Sequence, residues 1–205
     1  MSHDTWFHRV ARVTVVKPLA MTPVTPNHLT MLRLAAGLGA AGALAANEPS
    51  WAAGLFVFSM LMDRADGDLA RLTGKTSPFG HKLDLLTDAL CNTLIFVGLG
   101  IGLRDGGYGA WAIPMGILAG GAVALILFLV LRIEALEGAR AAEIGNFHGV
   151  DPDDAIVAVP IALWLGWSEG LLLAATLGAP AFALFFVWLF RRKLRGAKQA
   201  PRASS

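Results

Sequence analysis

Apolar runs of bilayer length recur along this chain of 205 residues, and they limit its fold more than any other feature. A helix rises about 1.5 Å per residue, so crossing a hydrocarbon core takes about 20 mostly apolar residues. Such runs fall at about 28–47, 50–71, 79–103 and 109–133, with a short one at 155–167 and another at 171–190. The first contains "LTMLRLAAGLGAAGALAA", rich in Gly and Ala, which lets helices approach closely. Hydrophobic residues make up 55% of the chain and charged residues 16%, against about 25% charged in soluble domains. The expected fold is an all-α integral membrane protein with six transmembrane helices.

Basic residues choose an orientation. Arg9, Arg12 and Lys17 precede the first run; Arg71, Lys75 and Lys82 lie between the second and third. Arg132 and Arg140 flank the loop after the fourth, and "RRKLRGAKQAPR" follows the sixth. With six spans all of these share one side, and the other side has only Arg104. Loops rich in Lys and Arg stay cytoplasmic, so both termini are expected in the cytoplasm, the protein lying in the cell (inner) membrane. Trp6, Phe7, Val10, Val13 and Val16, together with Arg9, Arg12 and Lys17, predict an amphipathic helix on the membrane surface. The N-terminus lacks the apolar core of a secretory signal. The organisation read from this is a surface segment at 1–26, one transmembrane domain at 27–193 and a basic tail at 194–205. The net charge is only +2 and no continuous basic face appears, which argues against a nucleic-acid partner. The single Cys91 excludes an internal disulfide framework and a cysteine-based zinc site.

Five aspartates interrupt the apolar pattern within "DRADGDLARLTGKTSPFGHKLDLLTD", residues 63–88. On a helix, Asp66, Gly67 and Ala70 fall three, four and seven residues after Asp63 and share its face. Asp84 and Asp88, four apart, share a face of the next helix, whereas Asp68 points elsewhere. Asp63 is eight residues before Arg71, and Asp88 eight after Gly80, each roughly 12 Å along its helix. A short loop makes the two helices antiparallel neighbours, so Asp63, Asp66, Asp84 and Asp88 converge at one level below the headgroups. Each buried ion costs several kcal/mol, and like charges add to that. The carboxylates must protonate or bind cations. Hard oxygen ligands suit Mg²⁺, Mn²⁺ or Ca²⁺, and two divalent ions would neutralise the four charges. A metal pair suits phosphoryl chemistry, where it holds attacking and leaving oxygens. Gly67 and Ala70 leave room for a flat group such as a nucleotide, Arg71 stands where it can pair with a phosphate, and Ser77 can donate a hydrogen bond to another.

The pattern Asp63-x2-Asp66-Gly67-x2-Ala70-Arg71-x8-Gly80-x3-Asp84-x3-Asp88 resembles the signature of the CDP-alcohol phosphatidyltransferases at every fixed position. The six runs and "TPNHLT" ahead of the first extend the likeness over nearly the whole chain. The resemblance implies an enzyme that displaces CMP from a CDP-linked alcohol, the hydroxyl of a second alcohol being the nucleophile. It implies two Mg²⁺ or Mn²⁺ ions held by Asp63, Asp66, Asp84 and Asp88, with Asp88 also the catalytic base. It assigns Gly67, Ala70, Arg71, Ser77 and Gly80 to the CDP group, adds Asn27 and Thr30 as cytidine contacts, and implies a homodimer.

The donor implied is CDP-diacylglycerol and the acceptor a polyol or polyol phosphate, with release of CMP. A soluble CDP-alcohol donor with a lipid or polyol acceptor is the alternative. Lys82, Arg132 and Arg140 are the basic candidates for holding a phosphorylated acceptor. An intramembrane prenyltransferase also pairs aspartate motifs with Mg²⁺, but far apart in the chain. A divalent-metal transporter needs a polar path across the bilayer, and the first, fourth, fifth and sixth runs read as almost free of polar residues at depth.

Overall fold

The computed structural model describes residues 16–137 and 152–199, and every regular element among them is helical. A helical turn, Lys17–Ala20, leads into α1 (Pro26–Ala45), followed by α2 (Pro49–Thr73) and α3 (Pro78–Gly102). A 3₁₀ turn at Gly109–Trp111 opens α4 (Ala112–Glu137), and α5 (Pro152–Trp164) and α6 (Ser168–Gln199) complete the order. Proline stands at the start of α1, α2, α3 and α5. Its missing N–H is no loss in a first turn, where donors lack helical partners anyway, and its fixed φ suits the helix. α2 stops at Gly74, whose φ of 65° lies in the left-handed region favoured by glycine. Ser77 then caps α3 by accepting the Gly80 N–H at 3.0 Å. Only Gly74–Ser77 therefore connect the two acidic helices.

Among the described residues, four segments are long and apolar enough to cross a bilayer: Pro26–Ala45, Pro78–Gly102, Gly109–Leu129 and Ser168–Trp188. The sequence predicts six. α2 is as long as α3, 25 residues each, but Asp63, Arg64, Asp66, Asp68 and Arg71 break the apolar character of its second half. α5 has 13 residues with Pro160 inside, or roughly 20 Å against a core of about 30 Å. Most of the expected surface helix falls on residues 1–15, outside the described residues. Val16, its last apolar position, is buried against Leu29, Met62, Ala65 and Leu69.

Packing corrects one expectation. The two acidic helices are not packed side by side: α1 lies between them and packs along both, while α2 and α3 scarcely touch. α4 packs on α3 and α6, and α5 on α2. The short loop fixes the antiparallel direction, but the space between α2 and α3 belongs to the small residues of α1. Ala36 and Ala40 are buried there. At Gly98 of α3 an added Cβ would overlap the Ala41 carbonyl oxygen of α1, and at Gly116 of α4 it would overlap that of Phe96. The main apolar core, including Leu44, Phe56, Ile95, Leu99, Leu163 and Leu172, gathers at the end of the bundle away from the Gly74–Ser77 loop. The acidic end is thus anchored by a close-packed opposite end.

Two outcomes follow from this packing. Gly98→Val should destabilise the folded chain by about 1–3 kcal/mol, the usual cost of overpacking, seen as a lower melting temperature in detergent. Thr76 is exposed on the α2–α3 loop, and the Asp105 side chain is 86% exposed at the other end. A membrane-impermeant maleimide should label cysteine at 76 and cysteine at 105 from opposite sides of the membrane, each from one side only. Cys91, 2% exposed, stays silent.

Candidate active site

The carboxylates do come together. Asp63 and Asp66 of α2 and Asp84 of α3 each bring one ligand oxygen into a group that lies within 4.8 Å. Asp88, one turn further along α3, joins them through a residue of α1. The Arg33 Nη1 donates to Asp84 Oδ1 at 2.8 Å and forms an ion pair with Asp63 Oδ1 at 2.5 Å, and Nη2 donates to Asp88 Oδ1. The Arg33 side chain is 5% exposed, whereas those of Asp63, Asp84 and Asp88 are about a third exposed. The Thr30 hydroxyl, one turn before Arg33, donates to Asp66 Oδ2 at 2.7 Å. Ser59 of α2 donates to the Arg33 carbonyl at 3.1 Å, which fixes the register of α1 against α2.

Arg33 corrects two sequence readings. The first run is not free of polar groups at depth, and the formal charge of the cluster is −3 rather than −4. One divalent ion beside the guanidinium would bring it to −1, and two to +1. An arginine seven residues after Pro26, roughly 10 Å into an apolar helix, is the signal that could have found it, because intramembrane charges are functional by default. It went unread among the small residues around it. The local energetics are steep: removing one partner of a buried ion pair costs about 3–5 kcal/mol by leaving the other uncompensated.

The donor set fits a divalent cation. Asp63, Asp66 and Asp84 offer hard carboxylate oxygens from two helices, and two of the three, Asp63 and Asp84, already hold a cationic group. This triad could hold a metal ion. Asp88 stands outside it, tied to the others by Arg33.

The remaining candidates sit around this centre. Asp68 is off the shared face, and its carboxylate accepts from Arg71 at 2.7 Å. The Arg71 side chain is 69% exposed and lies near Gly67, where an added Cβ would be 3.5 Å from Nη2. Ala70 is half-buried. Asn27, at the start of α1, approaches Gly80 so closely that a Cβ there would lie 2.8 Å from the Asn27 Oδ1 and 3.1 Å from the Ser77 Oγ. Asn27, Ser77 and Gly80 therefore share one corner beside the carboxylates. Thr30 is given to Asp66 and Ser77 to the α3 cap. Lys82 is exposed, Arg132 lies over the Phe128 ring of its own helix at 5.2 Å, and Arg140 falls outside the described residues.

A cavity of about 120 Å³ opens beside Asp63 and Asp88, towards the bundle interior. Arg33, Ser59, Arg64 and Asn92 supply its other polar lining, and Phe56, Met60 and Cys91 its apolar wall. Neither Lys82 nor Arg132 reaches it. Ser59 and Asn92 carry no spacing signal in sequence, since single polar residues in helices are ordinary packing.

Residues 23–189 match the family model of the CDP-alcohol phosphatidyltransferases. The chain belongs to that family. Its members are phosphotransferases, typically dependent on a divalent metal. An archaetidylinositol phosphate synthase of Pyrococcus horikoshii is 35% identical over 86 residues, 42% of this chain and 46% of that protein. A bifunctional IPC transferase and DIPP synthase of Rubrobacter xylanophilus is 33% identical over 81 residues, 40% of this chain and 19% of that protein. The matches thus span under half of the first relative and about a fifth of the second.

The geometry separates two neighbouring aspartates. Asp66→Asn removes a member of the triad and should weaken Mn²⁺ binding by about tenfold or more. Asp68→Asn should leave it unchanged. Electron paramagnetic resonance of free Mn²⁺ in titrations of the purified protein measures both.

Proposed function

We propose that this chain transfers a phosphatidyl group from CDP-diacylglycerol to the hydroxyl of a polyol or polyol phosphate, releasing CMP. The observation that carries this reading is the convergence of carboxylates from α2 and α3, beside Asn27 and Gly80, at one end of an apolar bundle. Membership of the CDP-alcohol phosphatidyltransferase family supports the reaction class. The name of the Pyrococcus relative refers to an inositol phosphate lipid, which supports a polyol phosphate as acceptor.

Asp63, Asp66 and Asp84, with Asp88 at the edge, are the proposed ligands of two Mg²⁺ or Mn²⁺ ions. Bound there, the metal stabilises charge on the phosphoryl oxygens and on the departing CMP oxygen. Asn27, Thr30, Gly67, Ala70, Arg71, Ser77 and Gly80 form the proposed CDP site. Arg71, exposed at the rim, is free to turn from Asp68 to a phosphate; its planar fork matches one. The acceptor hydroxyl enters the cavity beside Asp88. It forms a bond to the lipid-bearing phosphorus, the bond from that phosphorus to the CMP oxygen breaks, and the hydroxyl proton passes to the Asp88 carboxylate. Ser59, Arg64 and Asn92 orient the acceptor, a role first sought in Lys82, Arg132 and Arg140.

The wider reading follows from the same site. A six-span arrangement that includes α2 and α5 has the carboxylates and both termini on the cytoplasmic face of the cell membrane. There the diacyl chains stay in lipid while CMP and the polar acceptor exchange with water. We assign 1–26 to a surface segment, 27–193 to the catalytic domain and 194–205 to a basic tail, and the assembly to a homodimer.

CDP-diacylglycerol in detergent with a panel of radiolabelled polyols and polyol phosphates tests the reaction, read by CMP release and lipid chromatography. No CMP from any acceptor would sink it. Asp88→Asn should bind CDP normally by calorimetry, yet turn over about 10²–10⁴-fold more slowly, the usual loss of general-base help. A collapse of CDP binding to the level of Asp66→Asn would make Asp88 mainly a metal ligand.

A further inference from the structure

Arg33 occupies the middle of the carboxylate group, and its contacts coincide with those a metal ion needs. Its Nη1 lies 2.5 Å from Asp63 Oδ1 and 2.8 Å from Asp84 Oδ1. These are two of the three residues whose oxygens gather within 4.8 Å. The third, Asp66, is held separately by Thr30 of the same helix. Nη2 pairs with Asp88, outside that triad. One guanidinium therefore bridges both acidic helices from a third, with 5% of its side chain exposed.

A guanidinium is always charged, has five donors in a rigid fork and no acceptor. It cannot share carboxylate oxygens with a divalent cation without strong repulsion at such short range. We infer that Arg33 is a resident counter-ion of this site, which clamps α1, α2 and α3 together without metal and competes with the divalent ion for Asp63 and Asp84. With a divalent ion bound, Nη1 would have no place at those two aspartates. Arg33 is thus a positioning residue that lowers metal affinity. This rests on the proposed role of the aspartates as metal ligands.

The test uses the full chain in detergent, with Mn²⁺ alone as the probe. Mn²⁺ affinity is read by electron paramagnetic resonance for wild type, Arg33→Gln, Arg33→Lys and Asp66→Asn. Arg33→Gln should bind Mn²⁺ more tightly by about tenfold or more. Its melting temperature in EDTA should fall below that of wild type, and Mn²⁺ should narrow the difference. Lysine keeps a charge but not the fork that spans Asp63, Asp84 and Asp88 together, so Arg33→Lys should be intermediate. If Arg33→Gln is not recovered without metal, Arg33→Lys carries the same comparison. A merely structural arginine would lower melting with and without Mn²⁺ and would not tighten binding. Unchanged or weaker Mn²⁺ affinity in the Arg33 variants, with wild type binding and Asp66→Asn impaired, overturns the inference alone. Failure of the wild type to bind Mn²⁺ overturns the metal reading and the inference together.

Discussion

Taking a carboxylate out of water costs several kcal/mol even after a protein relaxes around it, and this chain brings four to one level of a helical bundle. Asp66 is buried and the other three are about a third exposed, and none is left to its own charge. Asp63, Asp84 and Asp88 meet the guanidinium of Arg33, and Asp66 meets the hydroxyl of Thr30. Both of these partners project from α1. The arrangement of the first three helices follows from that requirement: the helix carrying the cation has to stand between the two carrying the anions.

That position is open only to a narrow helix. α1 presents Ala36, Gly37 and Ala40 to its neighbours, with Cys91 and Ser59 pressed against the backbone at Gly37. α3 answers with Gly98 against the Ala41 carbonyl. Bulk would widen the spacing and pull the guanidinium away from one acidic helix or the other. The small residues at the closed end and the charges at the open end are therefore parts of one device, joined through the rigid rise of the helices.

Much of this was legible in the sequence. Helical spacing put Asp63 and Asp66 on one face, separated Asp68 from them, and put Asp84 and Asp88 on one face of the next helix, because a regular helix leaves no other choice. The family resemblance rested on those same positions and agrees with the match over residues 23–189. What spacing could not give was the partner of α2. A short loop dictates direction but not contact, and the place of α1 between the acidic helices rests on its small side chains and on Arg33. Arg33 was missed because it was read as part of an apolar run. Ser59, Arg64 and Asn92 were missed because they meet only in three dimensions, from two helices that scarcely touch. The count of spans divides in the same way. Length and apolarity are local properties and identify four segments, whereas the suitability of α2 depends on what covers its charged half.

The charged half of α2 also bears on how the protein is made. A charged residue at the centre of a lone helix raises the cost of entering lipid by about 2.5–3.5 kcal/mol on insertion scales, and by less near the ends. Asp63, Arg64, Asp66 and Asp68 fall within six residues, too many for α2 to partition readily as a solitary segment. α1 leaves the ribosome before α2 and carries Arg33 and Thr30, the partners of Asp63 and Asp66. Biogenesis then favours entry of the pair as a helical hairpin, in which the counter-charge travels with the charge. Chain order, cation before anions, makes that route available once α2 has followed α1.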